Sequence, residues 1–195
     1  MSAVSDDLIE TAKQVGVALK GAHIPFALGG GCAVFARGGP GSQHDVDVLL
    51  RERDVDAAVT ALTAAGLRRG DCPEDWLVKV FHGDRLVDLI FRVAGRAVDD
   101  AFLGRADVLE VGSVAMPVLG ATDIVTGKLL ALGAHSCDFA PLLADVRALR
   151  EQVDWARVQE ETAESPYARA FLTLVKELDV IPGKEELWPK TPVTS

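Results

Sequence analysis

Cysteine is scarce. Cys32, Cys72 and Cys137 are odd in number and far apart in a chain of 195 residues, which excludes a disulfide framework and a CxxC-type zinc site and leaves reduced thiols. Long apolar runs are missing too. Uncharged stretches such as Val111 to Thr122 are interrupted by Gly and Pro, and none reaches the ~18 residues a membrane helix needs. The first residues, Met1-Ser2-Ala3-Val4-Ser5-Asp6-Asp7, lack the basic and apolar regions of a secretory leader, so a cytoplasmic location without membrane contact is the expectation. Positive charge is in deficit, with 20 Lys and Arg against 29 Asp and Glu and a net charge of −9. Broad nucleic-acid binding needs a basic face, because neutralising phosphates drives the affinity. Here only a local basic rim or a basic protein partner is compatible with the composition.

What is present is a core. Residues classed as apolar make up 49% of the chain, and the length suits one domain with or without a helical appendage. Helical spacing runs from Asp6 to Lys20, with Ser5 as N-cap, and an Ala-rich helix from Asp54 to Leu67 is stopped by Gly66. Phe26-Ala27-Leu28 is a short strand that ends in Gly29-Gly30-Gly31, with a helical turn or two in Cys32 to Arg37. Trp76 to Phe81 and Arg85 to Val93 read as a hairpin about His82-Gly83-Asp84, and Asp107–Val111 with Val114–Leu119 as another about Gly112-Ser113. From Thr122 the pattern turns helical over Thr122–Leu132, Asp138–Gln152, Asp154–Ala163 and Pro166–Leu178, with Thr122 capping the first and Pro166 at the first position of the last. The expected fold is α+β: a mixed sheet with flanking helices over residues 1–120, a helical bundle over 121–181, and a poorly ordered Pro- and Lys-rich tail over 182–195. Trp76, Trp155 and Trp188 read as packing residues.

The chemistry concentrates in His44-Asp45-Val46-Asp47-Val48-Leu49-Leu50, a strand entering a core. Alternation puts both carboxylates on one face, ~6–7 Å apart at Cα for a rise of ~3.3 Å per residue. Two ionised carboxylates so placed repel, and a divalent cation between them removes the repulsion. Hard oxygen ligands suit Mg²⁺ or Mn²⁺ shared with phosphates. The alternative is a pair of acids on a solvated strand face. Asp88, inside the apolar run Leu86 to Phe91, is costly to bury unless paired or metal-bound, and is the candidate third ligand. Gly30 and Gly31 would let backbone N–H groups approach phosphate oxygens, and the Ser42 hydroxyl leads into the Asp pair. Arg37 could reach phosphate from the glycine side.

The run Leu28-Gly29-Gly30-Gly31-Cys32-Ala33-Val34 followed by Ser42-Gln43-His44-Asp45-Val46-Asp47-Val48 resembles the signature of the polymerase β-like nucleotidyltransferases. Within them the chain looks most like the AbiEii/MenT toxins of bacterial toxin–antitoxin pairs. Gly30-Gly31-Cys32-Ala33 matches that group's Gly-Gly-x-Ala turn, Lys128-Leu129-Leu130-Ala131-Leu132 its helical Lys, and Asp145 in Leu143-Ala144-Asp145-Val146 its later Asp. Gly41-Ser42-Gln43-His44 departs from the group's Arg-x-Thr, and its Lys-Asp pair near the later Asp is absent. Taken with the resemblance, Asp45 and Asp47 are expected to hold metal with Asp88 as third ligand, Lys128 and Asp145 to join Asp45 and Asp47 as catalytic residues, and Gly30, Gly31, Ser42 and Lys128, with Arg37 from the glycine side, to bind an NTP. It implies nucleotide transfer to the 3′ end of tRNA and a cognate antitoxin partner. Arg51, Arg53, Arg68, Arg69, Lys79, Arg92 and Arg96 are candidates for the basic rim this needs. The run Ser42 to Asp47 also suits an aminoglycoside-type adenylyltransferase, and an acidic enzyme suits a cationic drug. Adenylylation of a protein hydroxyl and a non-catalytic nucleotide- or partner-binding module are the remaining readings.

Overall fold

The computed structural model describes residues 6–40 and 45–181. In chain order the elements are α1 (Asp6–Gly21), β1 (Phe26–Leu28), α2 (Gly30–Ala36), β2 (Asp45–Leu50), α3 (Val55–Ala64), β3 (Arg68–Arg69), β4 (Leu77–His82), β5 (Arg85–Ile90), β6 (Arg92–Val93), β7 (Arg96–Ala97), α4 (Asp100–Leu103), β8 (Asp107–Val111), β9 (Val114–Val118), α5 (Ala121–Leu130), α6 (Phe139–Leu149), α7 (Trp155–Glu161) and α8 (Pro166–Glu177).

A seven-stranded mixed sheet runs in the order β3-β4-β5-β2-β1-β9-β8. At its centre β2 is parallel to β5 and antiparallel to β1. The apolar set Val46, Val48 and Leu50 on β2 is fully buried, which fixes the strand's register and sends Asp45 and Asp47 to the other face. On α1, Leu8, Ala12, Val15 and Leu19 recur at helical spacing and are buried. The core splits in two. One cluster joins α1, α3 and the sheet, and the other joins Val125 and Leu129 of α5 to α6, α7 and α8.

Most elements lie where the sequence puts them, with shifts that have local causes. The run expected as one strand to Val93 leaves the sheet after Ile90: Phe91 N and Arg92 N donate to Trp76 O, and residues 92–97 form a separate two-stranded ribbon. Thr122 does not cap α5. That helix starts at Ala121 after Gly120, and the Thr122 hydroxyl instead accepts from Asp154 N at 3.0 Å. Pro166 does open α8, with the Ser165 hydroxyl accepting from Ala168 N at 3.2 Å. Trp155 is buried, its indole N–H donating to Arg150 O at 3.0 Å, whereas Trp76 is 41% exposed and Trp188 lies outside the described residues. The Ser5 cap and the tail over 182–195 lie outside them as well. No helix of the described residues is long and apolar enough to cross a membrane.

Candidate active site

Because β2 and β5 are parallel and in register, Asp47 stands beside Asp88, and Asp45 is two residues along the same face. Carboxylate oxygens of Asp45, Asp47 and Asp88 lie within 4.8 Å of one another. The cluster is poorly satisfied by protein. Asp88 is buried, and among the described residues its Oδ1 has no hydrogen-bond partner. Burial, then the charges of Asp45 and Asp88, push the Asp47 carboxyl up to about 7, against a smaller opposing pull from Lys128. Burial and the charge of Asp45 also raise Asp88, with Lys79 opposing. Three converging carboxylates that resist shared ionisation, with an orphaned oxygen among them, fit a hard divalent ion.

Gly29 and Gly30 close the site on one side. Gly29 N donates to Asp47 O at 2.8 Å, tying the turn to β2. Gly30 has a φ of +51° and lies directly against the Asp47 carboxylate. Gly31 is buried within α2. Beneath them Cys32 is buried, its thiol 3.8 Å from Asp45 O; burial and the charges of Asp47 and Asp45 push it up to about 12.

On the other side α5 brings Lys128, which shares a pocket of about 230 Å³ with Gly30 and Asp47. Lys128 Nζ pairs with Asp145 of α6 at 3.0 Å, and Asp145 is buried. The two residues the sequence singled out separately on two helices thus form one ion pair. Lys128→Met should leave Asp145 as a buried charge without its cation. A loss of about 2 kcal/mol in urea unfolding is expected, and Lys128→Met with Asp145→Leu should recover stability but not activity.

Arg37 is engaged elsewhere: Nε donates to Leu119 O at 2.5 Å, and Nη2 to Asp107 at 2.6 Å and Val118 O at 3.2 Å. Arg37 therefore fastens α2 to the far strands of the sheet. Ser42 and His44 lie outside the described residues. Of the basic rim, Arg51, Arg53, Lys79 and Arg92 are engaged in ion pairs, with Asp54 and Asp100, Asp100, Glu74, and Glu52 and Asp75 respectively. Arg68 and Arg69 are exposed on β3, Arg68 lying 4.9 Å from the Phe81 ring centre.

Two features were missed. Lys79 of β4 is paired in register with Asp88, so a cation faces the third acid. Counting outward from a two-residue turn at Gly83-Asp84 gives that pairing, so the hairpin carried the signal. The other is Asp123 on α5, buried and bound by Arg105 and Arg157. Its signal was an acid beside Ile124 and Val125 in the first turn of a largely apolar helix.

The architecture is the nucleotidyltransferase fold. The chain aligns with ANT(2″)-Ia in complex with adenylyl-2″-tobramycin at a TM-score of 0.60 and 14% identity, over 85% of this chain and 97% of that one. It aligns with the lincosamide antibiotic adenylyltransferase LnuA, lincomycin-bound, at 0.52 and 11%, over 78% and 100%. With an antigenic nucleotidyltransferase-like protein from Paracoccidioides brasiliensis the values are 0.51 and 14%, over 95% and 93%. Identities this low speak to the fold alone. No protein-family model matches the sequence, and no curated protein matches it.

Proposed function

We propose that this chain is a metal-dependent nucleotidyltransferase that moves an NMP from an NTP to an acceptor hydroxyl, with the 3′ end of tRNA as acceptor, acting as the toxin of a toxin–antitoxin pair. The observation that carries the transferase reading is the convergence of Asp45, Asp47 and Asp88 within 4.8 Å against a glycine turn. The tRNA and toxin parts rest on the sequence resemblance to the AbiEii/MenT group through Gly30-Gly31-Cys32-Ala33, Lys128 and Asp145. The acidic charge of the chain suits a basic antitoxin.

Asp45, Asp47 and Asp88 would hold Mg²⁺ or Mn²⁺, which when bound polarises phosphoryl oxygens and lowers the pKa of a hydroxyl. The Gly30 and Gly31 backbone would take up the phosphates, with Ser42 the further candidate from the sequence. Lys128, held by Asp145, offsets triphosphate charge beside Asp47. The acceptor oxygen bonds to the α-phosphorus as the bond to pyrophosphate breaks, and Asp88 or Asp47 takes the hydroxyl proton. The second reading is a small-molecule adenylyltransferase. It is favoured by the fold shared with ANT(2″)-Ia bound to adenylyl-2″-tobramycin and with lincomycin-bound LnuA, and by the ion pairs that occupy much of the basic rim.

The test supplies the protein with Mg²⁺ and each labelled NTP, together with total tRNA or an aminoglycoside panel. Label on tRNA that is lost in Asp47→Ala is the expected result. Label on the drug alone selects the second reading, and no label on any acceptor leaves a binding module.

A further inference from the structure

The groove beside the carboxylates continues past α5. The pocket of Gly30, Asp47 and Lys128 shares Phe102, Asp123 and Gly127 with a second cavity of about 290 Å³. That volume is small for a ligand pocket and suits one chemical group of a larger substrate.

Its polar lining is unevenly satisfied. Asp123 accepts from Arg105 Nε at 3.1 Å and Nη2 at 2.9 Å, and from Arg157 Nη2 at 2.6 Å. Glu161 accepts from Arg157 Nε at 2.7 Å, and Asp99 caps α4 by accepting from Phe102 N at 2.7 Å. Asp123 thus takes three of these bonds on its two oxygens, and Glu161 and Asp99 take one each. The guanidinium groups are not exhausted: each carries five N–H donors, and the bonds above use two of Arg105's and two of Arg157's, with one more of Arg105's reaching Ala101 O at 3.4 Å. The side chain of Arg157 is 29% exposed and that of Arg105 38%, so the remaining donors are accessible. Arg96 of β7 also lines the cavity and makes no ion pair among the described residues.

Thr126 provides an independent observation. It is 5% exposed, lines the cavity, and among the described residues its hydroxyl has no partner. Helical Thr11, Thr60, Thr162 and Thr173 each donate to the carbonyl four residues back, which Thr126 does not do. A buried hydroxyl left this way costs free energy unless a ligand takes it up.

We propose that this cavity is an acceptor subsite for a phosphodiester, with Thr126, Arg105 and Arg157 donating to its oxygens. The proposal rests on the transferase reading and adds to it the acceptor's chemistry. A nucleic-acid end brings oxygens that accept from these donors. An ammonium-bearing drug would have to draw Asp123, the buried acid of the cavity, away from two guanidinium groups.

Thr126→Val is the clean variant, since it removes a hydroxyl that holds nothing else in place. Arg157→Lys keeps a cation beside Asp123. The full chain with Mg²⁺ is titrated with the 5′-phosphorylated trinucleotide CCA and with tobramycin, and KM is measured for tRNA and NTP. The trinucleotide is expected to bind wild type, to bind Thr126→Val about three- to tenfold more weakly, and to bind Arg157→Lys at least about tenfold more weakly. KM for NTP should stay within about twofold. A folded Thr126→Val with unchanged trinucleotide affinity overturns the subsite, as does binding of tobramycin without the trinucleotide. Failure to label any acceptor defeats the transferase reading instead, while the trinucleotide titration still decides the subsite.

Discussion

Asp47→Asn will make the metal-free protein more stable at pH 8 and will abolish nucleotide transfer. Folding raises the Asp47 carboxyl from 3.8 to about 7, so the folded state binds a proton that the unfolded chain has already released. Stability associated with that proton is fully present below about pH 4, declines as pH rises, and is gone above about pH 7. Asp88 is shifted in the same direction and adds to the effect. For an isolated group the span from 3.8 to about 7 corresponds to about 4 kcal/mol; because the charges are shared among three acids, about 2 kcal/mol is expected. Asn keeps the shape and removes the charge. Thermal unfolding from pH 5 to pH 8 without metal should show wild type losing stability and Asp47→Asn losing much less. Adding Mg²⁺ should stabilise wild type at pH 8, do little at pH 5, and do little for the variant. Transfer should fall by at least about a thousandfold, since metal-assisted charge stabilisation is worth several kcal/mol. A variant that is no more stable at pH 8 than wild type would mean that the three carboxylates do not strain the fold.

Gly30→Ala should be nearly as damaging, and for a different reason. The backbone there has φ +51°, which disfavours a side chain by about 1–2 kcal/mol. The larger problem is steric. A Cβ would fall 1.6 Å from Asp47 Oδ2 and 2.6 Å from its Cγ, so either the carboxylate or the turn must move. Movement of the carboxylate takes it out of line with Asp45 and Asp88. Transfer should fall at least about a hundredfold, and Mg²⁺ should no longer raise the melting temperature. Gly66→Ala is the matched control. Its φ is +94°, but nothing lies within 4 Å of the added carbon, so it bears the backbone strain alone. It should cost about 1 kcal/mol and leave transfer intact. Equal activity loss in both variants would show that strain, not collision with Asp47, is responsible.

The parts of this molecule that could be read from sequence were those fixed by short-range periodicity. Alternation in Asp45-Val46-Asp47-Val48 gave both the strand and the shared face of its two acids. Helical spacing located α1 and α8. Long-range pairing was another matter. That Asp88 would stand beside Asp47 depends on β5 running parallel to β2, a partner choice that nothing local in either strand encodes. The partners of Arg37 were out of reach for the same reason: the carbonyls of Val118 and Leu119 are some eighty residues distant in the chain. The cluster about Asp123 joins three segments through Arg105 and Arg157, and a charged residue in the first turn of a helix offers no hint of its distant partners.

Helix α5 belongs to both halves of the protein. Ala121 and Ile124 pack into the cluster beneath the sheet, while Val125 and Leu129, on an adjoining stripe, pack among α6, α7 and α8. With α5 shared in this way, and Leu149 of α6 also in the sheet-side cluster, the bundle cannot shear away from the sheet without opening both interiors. Lys128 rides on the same helix, so the mouth of the carboxylate pocket is built from an element that both interiors hold in place.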